Sequence, residues 1–207
     1  MDKSIATVTL INELERLILR LSEIVGRDFP QLTDDQLNWK QSNEQWSIAE
    51  CIMHLNYVAD FYFPSIHKVI EKVKTNKSKP TSTFIPGWLG NRVAKGVRLS
   101  RDNRLKKQSE SPQKFNPKYQ LFSQVSRQEI INNFLQNQDT ILQILANSKS
   151  INIQATYVPV AIYGLIRIQL GDMLKVIVYH TERHVVQAQR LLYHDNFPVN
   201  SLSATLS

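Results

Sequence analysis

Apolar residues recur at three- and four-residue spacing throughout "ATVTLINELERLILRLSEIV", and this period constrains the chain more than any other feature of it. On a helix the spacing gathers apolar side chains into one stripe, which must then be buried. It predicts a first helix from about Ser4 to Val25, closed by Gly26 and Pro30.

The same stripe returns three more times. A second helix opens at Ser47, whose hydroxyl and the Glu50 carboxylate three residues on form a capping box. Its stripe runs Ile48, Cys51, Ile52, Leu55, Val58, Ala59 and Tyr62. Pro64 is expected to bend this helix rather than end it, since the pattern resumes at Ile66, Val69, Ile70 and Val73. A third helix starts at a second capping box, "SRQE" (Ser126 to Glu129), and continues through Phe134, Leu135, Ile141, Leu142 and Leu145. The last begins near "LGDML", with Gly171 or Asp172 near its cap, and ends before "HDNFP". Ile151 to Tyr157 has strand-like composition, too little to predict a sheet.

A polar connection, "TDDQLNWKQSNEQW", joins the first two helices. From Lys74 to about Val125, Pro80, Pro86, Pro112 and Pro117 with Gly87, Gly90 and Gly96 break any long periodicity, leaving "PGWLGNRVAKG" as one short helix. Four long amphipathic helices predict an all-α four-helix bundle in one domain over residues 1–207, with about 74–125 as a long connection or insertion. A chain of 207 residues, 42% hydrophobic, can bury a core of that size.

Composition narrows the setting. The single cysteine, Cys51, excludes an intrachain disulfide and fits a reducing cytoplasm. The N-terminal stretch is interrupted by Asp2, Glu13, Glu15 and Arg16, unlike a signal peptide. No stretch reaches the roughly 18 apolar residues that span a bilayer; the nearest, "YVPVAIYGLIRIQL", carries Arg167. A soluble cytoplasmic protein with no membrane partner is expected. The net charge is +7, and "NRVAKGVRLSRDNRLKKQ" concentrates Arg92, Lys95, Arg98, Arg101, Arg104, Lys106 and Lys107 against Asp102 alone. This segment reads first as a solvated loop, and second as an arm for an anion or nucleic acid.

The chemistry-bearing residues are histidines. "YHTERHVVQAQRLL" sets His180 and His184 four residues apart. Leu174, Ile177, Val178, Thr181, Val185, Ala188 and Leu192 form the core stripe of that helix, and both histidines lie along one edge of it. In the second helix His54 also borders the stripe. If the two helices are neighbours, three imidazoles converge, and three histidines with an open fourth position is the pattern of a catalytic metal site. "HTERH" is not the zinc-protease motif, because Thr181 rather than a glutamate follows the first histidine and Glu182 points elsewhere. Glu50 and Gln187, each about one turn from a histidine, are candidates to orient the ligands or to serve as cap and surface. His67 and His194 read as surface or boundary residues.

At these residues the chain resembles the DinB-like superfamily, which includes metal-dependent hydrolases and bacterial thiol S-transferases. "QWSIAECIMHLN" is similar to that family's second-helix signature, and "HTERHVVQAQRLL" to its last-helix HxxxHxxQ signature. The order of helices, with the long connection after the second, matches as well. The resemblance implies a four-helix bundle with His54, His180 and His184 as ligands of a divalent metal (nickel, zinc, iron or manganese) and a possible homodimer. It also likens the long connection to an insertion near the open end of the site.

Two functions follow as expectations. One is a metal-dependent enzyme, a hydrolase or a low-molecular-weight thiol S-transferase acting on a small-molecule substrate. Arg183, Arg98 and Arg101 are then candidates to attract an anionic substrate such as an acidic thiol. The other is a non-catalytic stress-response protein whose basic loop contacts nucleic acid or an acidic partner. The sequence carries no recognition helix and no basic stripe along a helix, so nucleic acid is the lesser expectation.

Overall fold

The computed structural model describes residues 4–100, 111–119, 126–160 and 166–199. Strand β1 (Ile5–Ala6) leads into α1 (Thr7–Asp28), followed by the short α2 (Asp34–Asn38) and the long α3 (Ile48–Thr75). Strand β2 (Thr83–Phe84), α4 (Trp88–Val97) and two 3-10 turns at Gln113–Phe115 and Pro117–Tyr119 lie in the long connection. Helix α5 (Arg127–Ser148), strands β3 (Tyr157–Pro159) and β4 (Arg167–Gln169), and α6 (Leu170–Leu191) complete the order.

The four long helices form the expected bundle. Helices α1 and α3 each pack against both α5 and α6. The apolar stripes meet inside, and Ile11, Leu14, Ile18, Ile52, Ile66, Phe134, Ile141, Leu174 and Val178 are almost fully buried. The core divides into two apolar clusters. One holds Ala59, Phe63, Ile141, Ile177 and Val178. The other holds Ile52, Leu55, Phe134, Val185 and Ala188. Between them, at one level of the bundle, lie His54 on α3, Gln138 on α5, and Thr181 and His184 on α6, all buried and all polar.

Capping sets where the helices begin. At α3 the Ser47 hydroxyl accepts from the Glu50 N–H at 3.2 Å, and the Glu50 carboxylate accepts from the Ser47 N–H at 2.9 Å. At α5 the Ser126 hydroxyl accepts from the Glu129 N–H at 3.3 Å, so this start is a single side-chain cap rather than the reciprocal capping box expected of "SRQE". Pro64 sits inside α3, which continues through it to Thr75 because apolar burial resumes at Ile66 and Ile70. The two halves of α3 and α5 are tied by Asn56, which donates to the Ile130 carbonyl at 3.0 Å and accepts from Asn137 at 3.2 Å.

Several boundaries differ from the sequence reading. Helix α1 starts at Thr7, not Ser4, because Ile5 and Ala6 pair antiparallel with Phe84 and Thr83. Gly26 lies within α1, which ends three residues before Gln31, at Asp28, ahead of Pro30. The polar connection holds α2, capped reciprocally by Thr33 and Gln36. Helix α6 is capped by Gln169, so Gly171 and Asp172 are helical. A two-stranded ladder pairs Tyr157 with Gln169 and Pro159 with Arg167. The short helix expected in "PGWLGNRVAKG" is α4.

The long connection is clamped onto α6. Phe84 is fully buried, and a Cβ built on Gly171 would sit 2.5 Å from its ring. Gly87 N–H donates to the Asp172 carboxylate at 2.8 Å, and a Cβ on Gly90 would meet Asp172 Cβ at 2.5 Å. Lys175, buried beside them, donates to Asn91 at 3.0 Å and to Asp172 at 3.3 Å. Only glycines let α4 approach α6 this closely.

Candidate metal centre

The capping box starts α3 so that its second turn carries His54 to the bundle's polar layer, 3% exposed. On α6, His180 and His184 stand one turn apart on the face toward α3. His184 is buried and His180 partly buried. The three side chains converge: His54 Nε2 lies 3.2 Å from His180 Nε2, and His184 Nε2 lies 3.2 Å from the same atom. A tetrahedral centre with metal–nitrogen bonds near 2.0–2.1 Å holds neighbouring ligand atoms about 3.3 Å apart, which the two distances to His180 match, and all three ligand atoms lie within 4.8 Å of one another. Among the described residues this is the one group of three or more His, Cys, Asp and Glu able to hold a metal.

Hydrogen-bond accounting makes the same point. His54 Nδ1 faces the Phe115 carbonyl at 2.7 Å, and since a carbonyl only accepts, the proton sits on Nδ1. His184 Nδ1 faces Gln187 Oε1 at 3.1 Å, which fixes its proton likewise. Burial pushes His54 down to about 4, its bond to Phe115 opposing this in part. Burial also holds His180 and His184 well below the usual imidazole value, reinforced by the other histidines and by Arg183. All three rings are therefore neutral at pH 7, and the Nε2 atoms of His54 and His184 are bare lone pairs. His180 Nε2 has at most one proton for the two of them. At least one buried lone pair has no donor, so the group could hold a cation.

The surroundings hold the rings still. The Trp46 indole packs on His54 with ring centroids 4.8 Å apart and stacks on His184 at 5.4 Å. Phe115, buried, stacks against Tyr62 and meets Phe61 edge-on. Both residues lie outside the periodic helices, and the sequence reading missed them. Trp46 adjoins the capping box and stands in the quoted stretch "QWSIAECIMHLN", and those were its available signals. The Phe115 carbonyl has none, because any residue supplies a backbone oxygen.

The remaining predicted residues divide. Gln187 contacts a ligand, as expected of an orienting group. Glu50 is buried with its carboxylate on the cap and on Lys40 Nζ at 2.5 Å, and no described bond joins it to His54. Arg183 is buried beside the histidines and disfavours their protonation. Arg98 is exposed at the end of α4, its guanidinium 4.8 Å from the Tyr179 ring. Arg101 lies outside the described residues. Glu182 is raised by burial and has Arg98 and Arg20 as its cationic neighbours, away from the triad. Cys51 is fully buried, and burial pushes its thiol up, so it is a core residue and no nucleophile. His67 and His194 are partly buried boundary residues, His194 resting on Trp39 at 5.2 Å.

A helical bundle with a three-histidine group on its second and last long helices is an architecture that could hold a metal ion in its core. The DinB superfamily model matches residues 20–188, and the chain belongs to that family. No curated protein and no solved structure matches it. No described helix is long and apolar enough to cross a membrane.

Proposed function

We propose that this chain is a metal-dependent enzyme of the DinB superfamily, with His54, His180 and His184 as the ligands of one divalent cation. The observation that carries the reading is the convergence of three neutral imidazoles, with the Nε2 atoms of His54 and His184 each 3.2 Å from that of His180 and both rings locked by acceptors on Nδ1. Three imidazoles suit nickel, zinc and iron alike, and manganese less well. Such a cation lowers the pKa of a water or thiol at its open position and so supplies a nucleophile at neutral pH. The chain's own groups do the rest. The Phe115 carbonyl and Gln187 orient the rings, Trp46 shields two of them from water, and the Arg183 charge helps keep them unprotonated.

The reaction class that fits is hydrolysis, or transfer of a low-molecular-weight thiol to an electrophilic small molecule. Arg98, exposed beside Tyr179 one residue from His180, supports attraction of an anionic substrate. Metal content of untagged protein, with His54→Ala and His184→Ala alongside, tests the reading. About one metal per chain, lost in both variants, is expected. A chain that carries no metal and takes up none from added nickel, zinc or manganese overturns it.

A further inference from the structure

The polar layer of the bundle contains one group that neither the triad nor the helix pairing uses. Gln138 on α5 is 5% exposed, and its Oε1 is buried without a hydrogen-bond partner. Its amide orientation is fixed, because Nε2 donates to the Phe134 carbonyl at 3.3 Å and a carbonyl cannot donate in return. Oε1 therefore remains an acceptor with nothing to accept.

Gln138 lines a small cavity together with His180 and Thr181, and the rest of the wall is carbon from Leu55, Val58, Phe63, Ile141 and their neighbours. The cavity volume is about 10 Å³, room for the centre of one water molecule. It lies one helical turn beyond His54 along α3, at Val58, and beside His180 on α6. Trp46 occupies the other side of the triad, over His54 and His184. Thr181, the one hydroxyl on the wall, gives its proton to the Ile177 carbonyl at 3.0 Å. Thr181 therefore offers the cavity an acceptor, as does Gln138 through Oε1.

We infer that Gln138 is a positioning residue which selects a proton-bearing occupant for the cavity beside the triad, namely water or another small donor, over a bare anion. The inference rests on the metal reading and sharpens it toward hydrolysis. A water donates to Oε1 and presents its oxygen lone pairs to the histidine side of the cavity. A thiolate has no proton to donate and meets the negative end of the amide dipole.

The test uses full-length protein loaded with cobalt(II) and titrated with azide, an anion without a proton, followed by visible absorption. Wild type is compared with Gln138→Met, which keeps the length of the side chain but removes the acceptor, and with Gln138→Leu. Both variants are expected to bind azide about tenfold more tightly than wild type, the factor that one hydrogen bond is worth. Cobalt should remain near one per chain, and the metal-free melting temperature should be unchanged or higher, since an unpartnered buried acceptor has been removed. Bound cobalt with unaltered azide affinity overturns this inference alone. Failure of both variants to fold also overturns it, because the amide would then be structural. If the wild type binds no cobalt, the metal reading falls and this inference falls with it.

Discussion

The Phe115 carbonyl accepts from His54 Nδ1 at 2.7 Å across 61 residues of sequence. This bond joins the long connection to the histidine centre, so the connection is part of the site rather than an appendage. Phe115→Ala removes a buried ring that contacts Phe61 and Tyr62 and frees the carbonyl to shift. The expected cost is about 3 kcal/mol of stability. Metal affinity should drop by roughly 10–100-fold, as for other groups that orient ligands. Denaturant melts with and without metal, beside a competitive chelator titration, check both numbers.

Gln187 acts on His184 from within α6, one turn on. Gln187→Leu keeps the helix and removes the acceptor. Metal affinity should fall by about 10-fold or more, while metal-free stability changes by less than about 1 kcal/mol, the effect of one part-buried hydrogen bond. A stability loss as large as that of Phe115→Ala would show Gln187 to be structural instead.

Trp46 contacts two of the three rings, whereas Trp88 is 81% exposed on α4. Binding of paramagnetic nickel or cobalt should quench the fluorescence of Trp46 and leave that of Trp88 unaffected. The quench should vanish in Trp46→Phe and persist in Trp88→Phe. Steady-state emission during metal titration reads this directly.

Acid should destabilise the metal-free protein through the histidines. The folded pKa of His54 is lowered to about 4 from 6.5. The unfolded chain therefore binds more protons between those values. Stability from this group is fully present above about pH 6.5 and is lost as pH falls toward 4, by about 3 kcal/mol at most for His54. His180 and His184 shift the same way. Urea midpoints at several pH values should fall more steeply in wild type than in His54→Gln. Equal slopes would mean that the ring is not held neutral by burial.

Gly171 and Gly90 should tolerate no side chain. Alanine at either places Cβ about 2.5 Å from Phe84 or Asp172, well inside contact distance. Each should cost about 1–3 kcal/mol, the range of overpacked positions. The long connection should also become more sensitive to protease, as limited proteolysis would show. Gly96→Ala, where nothing lies within 4 Å, is the neutral control.

Much of this molecule is legible along the chain. The apolar spacing sufficed for the four long helices, because a 3.6-residue period admits only one regular structure and its stripe can be buried only against other stripes. Ser47 with Glu50 marked the start of α3, since free N–H groups at a helix end need nearby acceptors. His54, His180 and His184 stood out because each borders a buried stripe. These are local properties, carried by spacing within about one turn.

What the sequence could not determine depends on contacts between distant segments. Ile5 and Ala6 continue the apolar pattern of α1 but pair with β2, because Phe84 fills the space above Gly171 and brings its strand with it. Gly171 reads as a cap and is instead the gap that admits that ring. Gln169 takes the cap because its backbone is already held in the ladder with Tyr157. Phe115, Trp46 and Gln138 have no periodic signature, and their roles exist only once α3, α5 and α6 set one polar layer between two apolar clusters. Only the tertiary structure decided that three imidazole Nε2 atoms would face one another, since the distance between two helices is fixed by the packing of every side chain between them.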